Sequence, residues 1–335
     1  MSAPAPSPLS SAARALAERM GLRMGRPNLD AFAETLQAMA ESDRRVLAVT
    51  SDSRGSGRLG PFAAAWPDRI VEVGIAEQNL VGIAAGLASA GKVVFAVSPA
   101  CFLTARALEQ IKNDVAYADN AVTLVGISAG VSYGALGSTH HSLHDLAALR
   151  AIHNVDLVVP ADNFETRQAV RAAAAAEHPV YLRFGKLPML DMHDGSARFE
   201  IGKAILLRDG RDVAFLASGE TVVHARLAAE LLQGEGLSCR VLSMHTVKPL
   251  DAEAVLRAGR ECRAMITVEE HLVHGGLGEA CAAVLLQGAA APRLKIVGIP
   301  HEYTVTGSQA DIFRHYGITM EGLAGTARRL LESLP

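Results

Sequence analysis

The sequence predicts an α/β fold of two tandem doubly wound domains, and three observations carry that prediction. Short β-branched runs alternate with stretches of helical apolar periodicity along most of the chain. The alternation breaks once, at residues 186–200. Half of the 335 residues are hydrophobic but only 4% are aromatic, which with 30 glycines suits closely packed helix-on-sheet layers. The length fits two domains of ordinary size. A net charge of −3, with Lys and Arg scattered, gives no electrostatic reason to expect nucleic acid or an anionic membrane as partner. Cys101, Cys239, Cys262 and Cys281 share no metal-site spacing and lie in apolar runs, so buried free thiols in a reducing compartment are expected. No run approaches the ~20 apolar residues of a membrane span. The opening MSAPAPSP lacks the apolar core of a signal peptide, so a cytoplasmic protein is expected.

Residues 1–28 read as an N-terminal extension, Pro/Ala/Ser-rich and then weakly helical, peripheral to the fold. The first domain is expected over 29–185. It opens with an amphipathic helix at 30–41, with Phe32, Leu36 and Met39 on one side. A strand at 46–50 and a polar, Gly-rich loop at 51–60 follow. Residues 69–73 read as a buried strand. Residues 76–90 read as a helix, with Leu80, Ile83, Ala84 and Leu87 at helical spacing. A strand at 93–97 leads into one helix from Phe102 to about Tyr117. After a strand at 122–127 comes a long loop, 128–144, that carries His140, His141 and His144. Strands at 157–159 and 180–183 flank an Ala-rich helix at 164–176. Residues 186–200 read as a linker. The second domain, 201–335, alternates strands at 213–217, 239–243, 264–268 and 294–299 with helices at 222–233, 252–259 and 277–286. It closes with a helix at 320–334.

Glu77 stands where strand gives way to helix, directly after the Gly74 turn, in the crevice where open α/β sheets bind ligands. A carboxylate in a helix's first turn also has a plain structural reading, worth under about 1 kcal/mol against the helix dipole. The residues around it carry more information. Gly74-Ile75-Ala76-Glu77-Gln78-Asn79 resembles the signature of the pyrimidine-binding domain of transketolases and related thiamine diphosphate enzymes. Phe102 to Asp114 resembles the helix under the cofactor ring, and Thr139-His140 with Asp145-Leu146 resembles the substrate loop. Val159-Pro160-Ala161-Asp162 and Tyr181-Leu182-Arg183 resemble the later strand ends. Val247-Lys248-Pro249-Leu250-Asp251, Val268-Glu269-Glu270-His271 and Gly275-Gly276-Leu277-Gly278 resemble the C-terminal domain. The resemblance runs over residues 29–330.

The family holds the cofactor's pyrophosphate and its metal with a Gly-Asp-Gly motif followed by Asn, and here the nearest string is Arg208-Asp209-Gly210. No Walker or dinucleotide fingerprint is found either. The resemblance therefore implies half of an enzyme, the smaller, C-terminal subunit of a two-component transketolase. Such an enzyme moves a two-carbon ketol unit from a ketose donor to an aldose acceptor. Thiamine diphosphate and Mg²⁺ would be clamped against a separate pyrophosphate-domain subunit in an α₂β₂ assembly.

The same resemblance implies roles for residues. Glu77 would be catalytic, its carboxyl reaching N1′ of an aminopyrimidine held by the partner and favouring the imino form that takes the thiazolium C2 proton. That job asks for a carboxyl kept neutral near pH 7, which burial at an apolar interface would achieve. Phe102 would stack near the ring. Asp52 and Arg106 are further candidates for cofactor contact, with a structural or solvated role as the alternative for Arg106 and for Glu109. His140 matches a histidine that contacts sugar hydroxyls. His141 and His144 have no such match, and the three share no metal spacing.

The departures concern substrate. Gly134-Ala135-Leu136-Gly137 stands where transketolases commonly have Gly-Glu-Asp-Gly, so the donor-contacting Asp is Leu136. A phosphate-contacting histidine is Ser128, and a family arginine aligns with Leu29. Arg183 and Ser56 remain as candidate anion ligands, with Arg26, Arg54 and Arg58 as substitutes. Losing one charge-assisted contact weakens binding by about 1.5–3 kcal/mol, so a modified sugar or sugar phosphate outside the pentose-phosphate set is expected. Glu269, Glu270, His271 and the Gly275-Gly276 turn are expected to be structural. Two rival readings are the β subunit of a 2-oxo acid dehydrogenase E1 component and a non-catalytic regulatory partner. The wording of Ile75–Asn79 and Glu109–Asn113 favours the transketolase branch, and retention of Glu77, Phe102 and His140 speaks against a scaffold.

Overall fold

The computed structural model describes residues 8–193, 196–290 and 292–334. The first half runs α1 (Ser11–Arg19), β1 (Arg23–Pro27), α2 (Asn28–Ser42), β2 (Val46–Thr50), α3 (Gly60–Ala65), β3 (Ile70–Glu72) and α4 (Glu77–Ser89). It continues with β4 (Val93–Pro99), α5 (Ala100–Arg106), α6 (Leu108–Gln110), β5 (Val122–Ile127), α7 (Asp145–Arg150), β6 (Asp156–Val158), α8 (Asn163–Ala175), β7 (Val180–Arg183) and β8 (Pro188–Asp191). The second half runs β9 (Ile205–Arg208), β10 (Val213–Ala217), α9 (Val222–Gln233), β11 (Cys239–Ser243), β12 (Thr246–Lys248) and α10 (Ala252–Glu261). It ends with β13 (Ala264–Leu272), α11 (Leu277–Gln287), β14 (Arg293–Ile299), α12 (Gln309–His315) and α13 (Met320–Glu332). No helix among these is long and apolar enough to cross a membrane.

Two sheets result. The first has the order β12-β6-β7-β5-β4-β2-β3, parallel except for β12, which pairs antiparallel with β6. The second has the order β14-β13-β10-β11-β9, parallel except for β9. Burial on both faces explains why central strands such as β2 and β10 read as unbroken apolar runs, whereas β3, expected to be buried, is a partly exposed edge strand. On β4, Val94 and Ala96 pack with Leu80 and Ala84 of α4, while Phe95 and Val97 face Phe32 and Leu36 of α2. On β10, Val213 and Phe215 face α9 and α13, while Ala214 and Leu216 face α10 and α11.

Three further features depart from the expectations. α1, expected to be peripheral, is capped by the Ser10 hydroxyl and buries Ala13 and Ala17 in the core of the second sheet beside α9. Within 186–200, expected to be a linker, β8 forms and pairs antiparallel with β1. The single helix expected over 102–117 is instead α5, α6 and a π-helical turn, Ile111–Tyr117. Such turns are frequent at functional sites.

His224, on α9, is enclosed on all sides and lies edge-on to Phe313 at 5.4 Å. Neither ring nitrogen has a hydrogen-bond partner among the described residues. Burial pushes its pKa down to about 4. An unfolded chain takes the proton near pH 6.5, so the folded state binds fewer protons in that window. Its contribution to stability is therefore present above about pH 6.5 and lost as pH falls through about 4. His224→Leu should remove roughly 3 kcal/mol of acid destabilisation between pH 7 and 4. Urea unfolding at stepped pH checks it, and parallel curves for the two proteins would refute it.

Candidate active site

The carboxyl-terminal edge of the first sheet gathers the site. After β3 the chain turns at Gly74, whose φ of 71° is in the left-handed region that favours glycine. Glu72 braces that turn, its Oε1 accepting from the backbone N–H of Asp52 (2.7 Å) and of Gly74 (3.0 Å). Glu77 follows as the first residue of α4, only 4% exposed. Arg106, the last residue of α5, donates from Nη1 to both Glu77 oxygens at 2.8 and 2.9 Å. Its guanidinium carbon lies 4.4 Å over the Phe102 ring. An open cleft of about 550 Å³ fronts this group, lined by Ile75, Ala76, Glu77, Gln78, Asn79 and Arg106.

The series continues from Phe102. His140 meets the Phe102 ring edge-on at 5.4 Å and Tyr133 at 5.3 Å, and Thr139 Oγ1 lies 3.0 Å from His140 Nδ1. The Lys186 ammonium stands 4.6 Å over Tyr133. Glu77, Arg106, Phe102, His140, Tyr133 and Lys186 thus form one continuous line of contacts. Leu136 projects from the same loop, 57% exposed. Tyr133 and Lys186 were not anticipated. Lys186 lay in a segment read as linker, although it is the first cation after the β7 strand end, where the crevice rule directs attention.

Other candidates lie elsewhere or are already engaged. Arg183 is 5% exposed and committed to three acceptors: Asp145 Oδ2 (2.8 Å), the Ser142 carbonyl (3.0 Å) and the Glu270 carbonyl (2.9 Å). Ser128 is wholly buried with φ 54°. Asp52 is exposed and touches the site only through its backbone N–H on Glu72. Ser56 donates to the Ser53 carbonyl at 3.2 Å. Arg26 pairs with Glu34, and Arg58 pairs with Asp30 at 3.0 Å. Leu29 is in the core.

The second half holds the loop that carries Tyr133, Leu136 and His140. Glu270 Oε1 accepts from the Val131 N–H at 2.9 Å, and His141 bonds Thr304 Oγ1 and the Gly134 carbonyl, each at 2.8 Å. Gly130 has no alternative here, since a Cβ would lie 2.2 Å from Glu270 Cδ and its φ is 62°. Gln309 bridges Glu220 and Glu270 at 2.7 and 2.8 Å. Burial, reinforced by their mutual repulsion, pushes the Glu220 carboxyl above the usual range, and burial does the same for Glu270. Glu269 accepts from the N–H groups of Leu277 and Gly278 at the start of α11.

A buried carboxyl opening on a cleft at the carboxyl end of a parallel sheet's edge strand, with an aromatic ring one contact away through Arg106, suits a flat heteroaromatic ring with a basic nitrogen. It is the arrangement of a transketolase-type pyrimidine domain. Residues 27–189 match the transketolase pyrimidine binding domain and residues 202–323 the transketolase C-terminal domain. The chain belongs to the transketolase family, a transferase family, and within it to the subunit-sized members. It is 46% identical over 302 residues, 90% of this chain and 96% of the other, to one of the subunits of the apulose-4-phosphate transketolase of Phocaeicola vulgatus. It is 36% identical over 303 residues, 90% and 94% of the two chains, to the 6-deoxy-6-sulfo-D-fructose transketolase subunit SqwH of a Clostridium species. Among solved structures, a split-gene transketolase described as an inactive β4 tetramer superposes with TM-score 0.84 at 33% identity, covering 92% of this chain and 99% of that one. The transketolase of Campylobacter jejuni shares the fold at TM-score 0.78 and 19% identity, with this chain spanning 47% of its length.

Proposed function

We propose that this chain supplies the pyrimidine-facing half of a two-component transketolase and works with a pyrophosphate-domain subunit in an α₂β₂ assembly. The observation that carries the proposal is the buried Glu77 carboxyl on a cleft, joined through Arg106 to Phe102 and His140 by successive side-chain contacts. Thiamine diphosphate, when bound with Mg²⁺ on the partner, supplies the electron sink for breaking and remaking a carbon–carbon bond beside a carbonyl. This chain's residues do the rest. Glu77 exchanges a proton with the ring nitrogen that faces it. Phe102 offers its face to the ring, and α4 and α5 fix the two relative to each other. His140, oriented by Thr139 and wedged between Phe102 and Tyr133, hydrogen-bonds sugar hydroxyls.

At the far end of the line, Lys186 meets an anion on the substrate, while Leu136 presents an apolar surface to the sugar. The two relatives' names carry a phosphate and a sulfonate on an unusual ketose. An anionic, modified ketose donor of that kind, with apulose 4-phosphate the first to try, is the proposed substrate class. The test is reconstitution. The chain alone should be inert, and addition of a Gly-Asp-Gly subunit should give thiamine-dependent ketol transfer from apulose 4-phosphate faster than from xylulose 5-phosphate. Robust turnover by the chain alone, or equal rates on the two donors, would overturn it. In the assembled enzyme, Lys186→Met should raise KM for the anionic donor by roughly 10- to 100-fold with little change in kcat; an unchanged KM would remove Lys186 from the substrate's path.

A further inference from the structure

Arg106 makes, within this chain, both contacts that a bound ring would need. Its guanidinium is a flat, delocalised group with N–H donors in its plane. It lies 4.4 Å over the Phe102 ring and donates to both oxygens of Glu77 at 2.8 and 2.9 Å. We propose that the Arg106 guanidinium is an internal surrogate for the aminopyrimidine ring, filling its place in the unpartnered subunit and leaving it when the partner presents the cofactor. This rests on the reading of Glu77 and Phe102 as the contacts of that ring.

Three features support the exchange. The guanidinium occupies the space over the Phe102 ring and in front of both Glu77 oxygens, so a ring that took both contacts would have to displace it. A carboxylate that is 4% exposed and unpaired would be costly, so the subunit gains from a stand-in while it waits. Arg106 is also placed to leave. Its side chain is 48% exposed, and it ends α5, where the helix breaks into the three residues of α6 and the π-helical turn. Displacement moves the cation into solvent without unpacking the core beneath it. The consequence is that cofactor affinity becomes coupled to subunit docking, because a free ring must compete with a tethered guanidinium.

The experiment uses the isolated full chain and the probe 4-amino-5-hydroxymethyl-2-methylpyrimidine, with affinity read by calorimetry or ligand-observed NMR. Arg106→Ala should bind the probe about ten-fold or more tightly than the unaltered chain, and methylguanidinium should compete with the probe on that variant. Arg106→Leu, which keeps an aliphatic stem on Phe102, serves as the second variant if the alanine protein melts early. No gain in affinity, including no detectable binding by any of the proteins, overturns the surrogate. Glu77→Ala added to Arg106→Ala separates the two ideas. If the double variant keeps the full gain, the reading of Glu77 as the ring's partner falls. If the unaltered chain binds the probe through Glu77 and Arg106→Ala adds nothing, the surrogate falls alone.

Discussion

Glu77→Gln in the assembled enzyme is expected to lower turnover by roughly 10²–10⁴-fold, the range that one positioned acid–base group supplies. The substitution keeps the side chain's length and shape but removes its charge and its ability to gain and lose a proton. Cofactor binding and assembly should therefore survive, and a size measurement with cofactor titration should find them within a few-fold of normal. Near-normal turnover would return Glu77 to the role of an ordinary first-turn residue on α4. A further readout distinguishes chemistry from placement. Loss of a step made only in the transition state lowers kcat and kcat/KM together, whereas displaced substrate raises KM.

Arg183→Ala should be the most destabilising single change, about 3–5 kcal/mol, because it leaves a buried charge without its counter-ion. Asp145 is wholly enclosed, accepts from Arg183 and from the Tyr181 hydroxyl at 2.8 Å each, and has His271 Nε2 at 3.8 Å. The Arg183 guanidinium holds its carboxyl below the usual carboxylate range despite burial. Arg183 also fixes the Ser142 and Glu270 carbonyls, so its loss removes one of the ties between the loop and the second half. Denaturant unfolding measures the effect. Unchanged stability with a raised KM for an anionic donor would show instead that Arg183 binds substrate.

The alternation of strand and helix was legible because both faces of both sheets are covered, leaving apolar runs such as Val46–Thr50 and Val213–Ala217 without polar interruption. β1, β8 and β12 were not legible. Arg23–Pro27 alternates nothing, and Thr246–Lys248 is three residues long. They are strands because a partner's backbone is there to pair with, a tertiary cause invisible to local pattern. The site divides in the same way. Glu77, Phe102 and His140 sit in wording that marks them, and the structure brings them into one line of contacts. Arg183 carries equally suggestive wording, but its donors are taken by Asp145, the Ser142 carbonyl and the Glu270 carbonyl, partners that are distant in sequence, the last supplied by the second half. Lys186 was missed for the opposite reason, since nothing in Lys186–Pro188 marks a site until Tyr133 comes beneath it.

β12 limits where this polypeptide can be divided. It is supplied by the second half, yet it closes the first sheet by pairing with β6. A break between the two sheets, by a protease or by fission of the gene, would strip β6 of its cover. The exposed backbone would then be a template for whatever strand it next met. A fragment ending before residue 246 should therefore aggregate even with its own core intact. Fission or fusion of genes that encode this fold should leave the two sheets on one polypeptide.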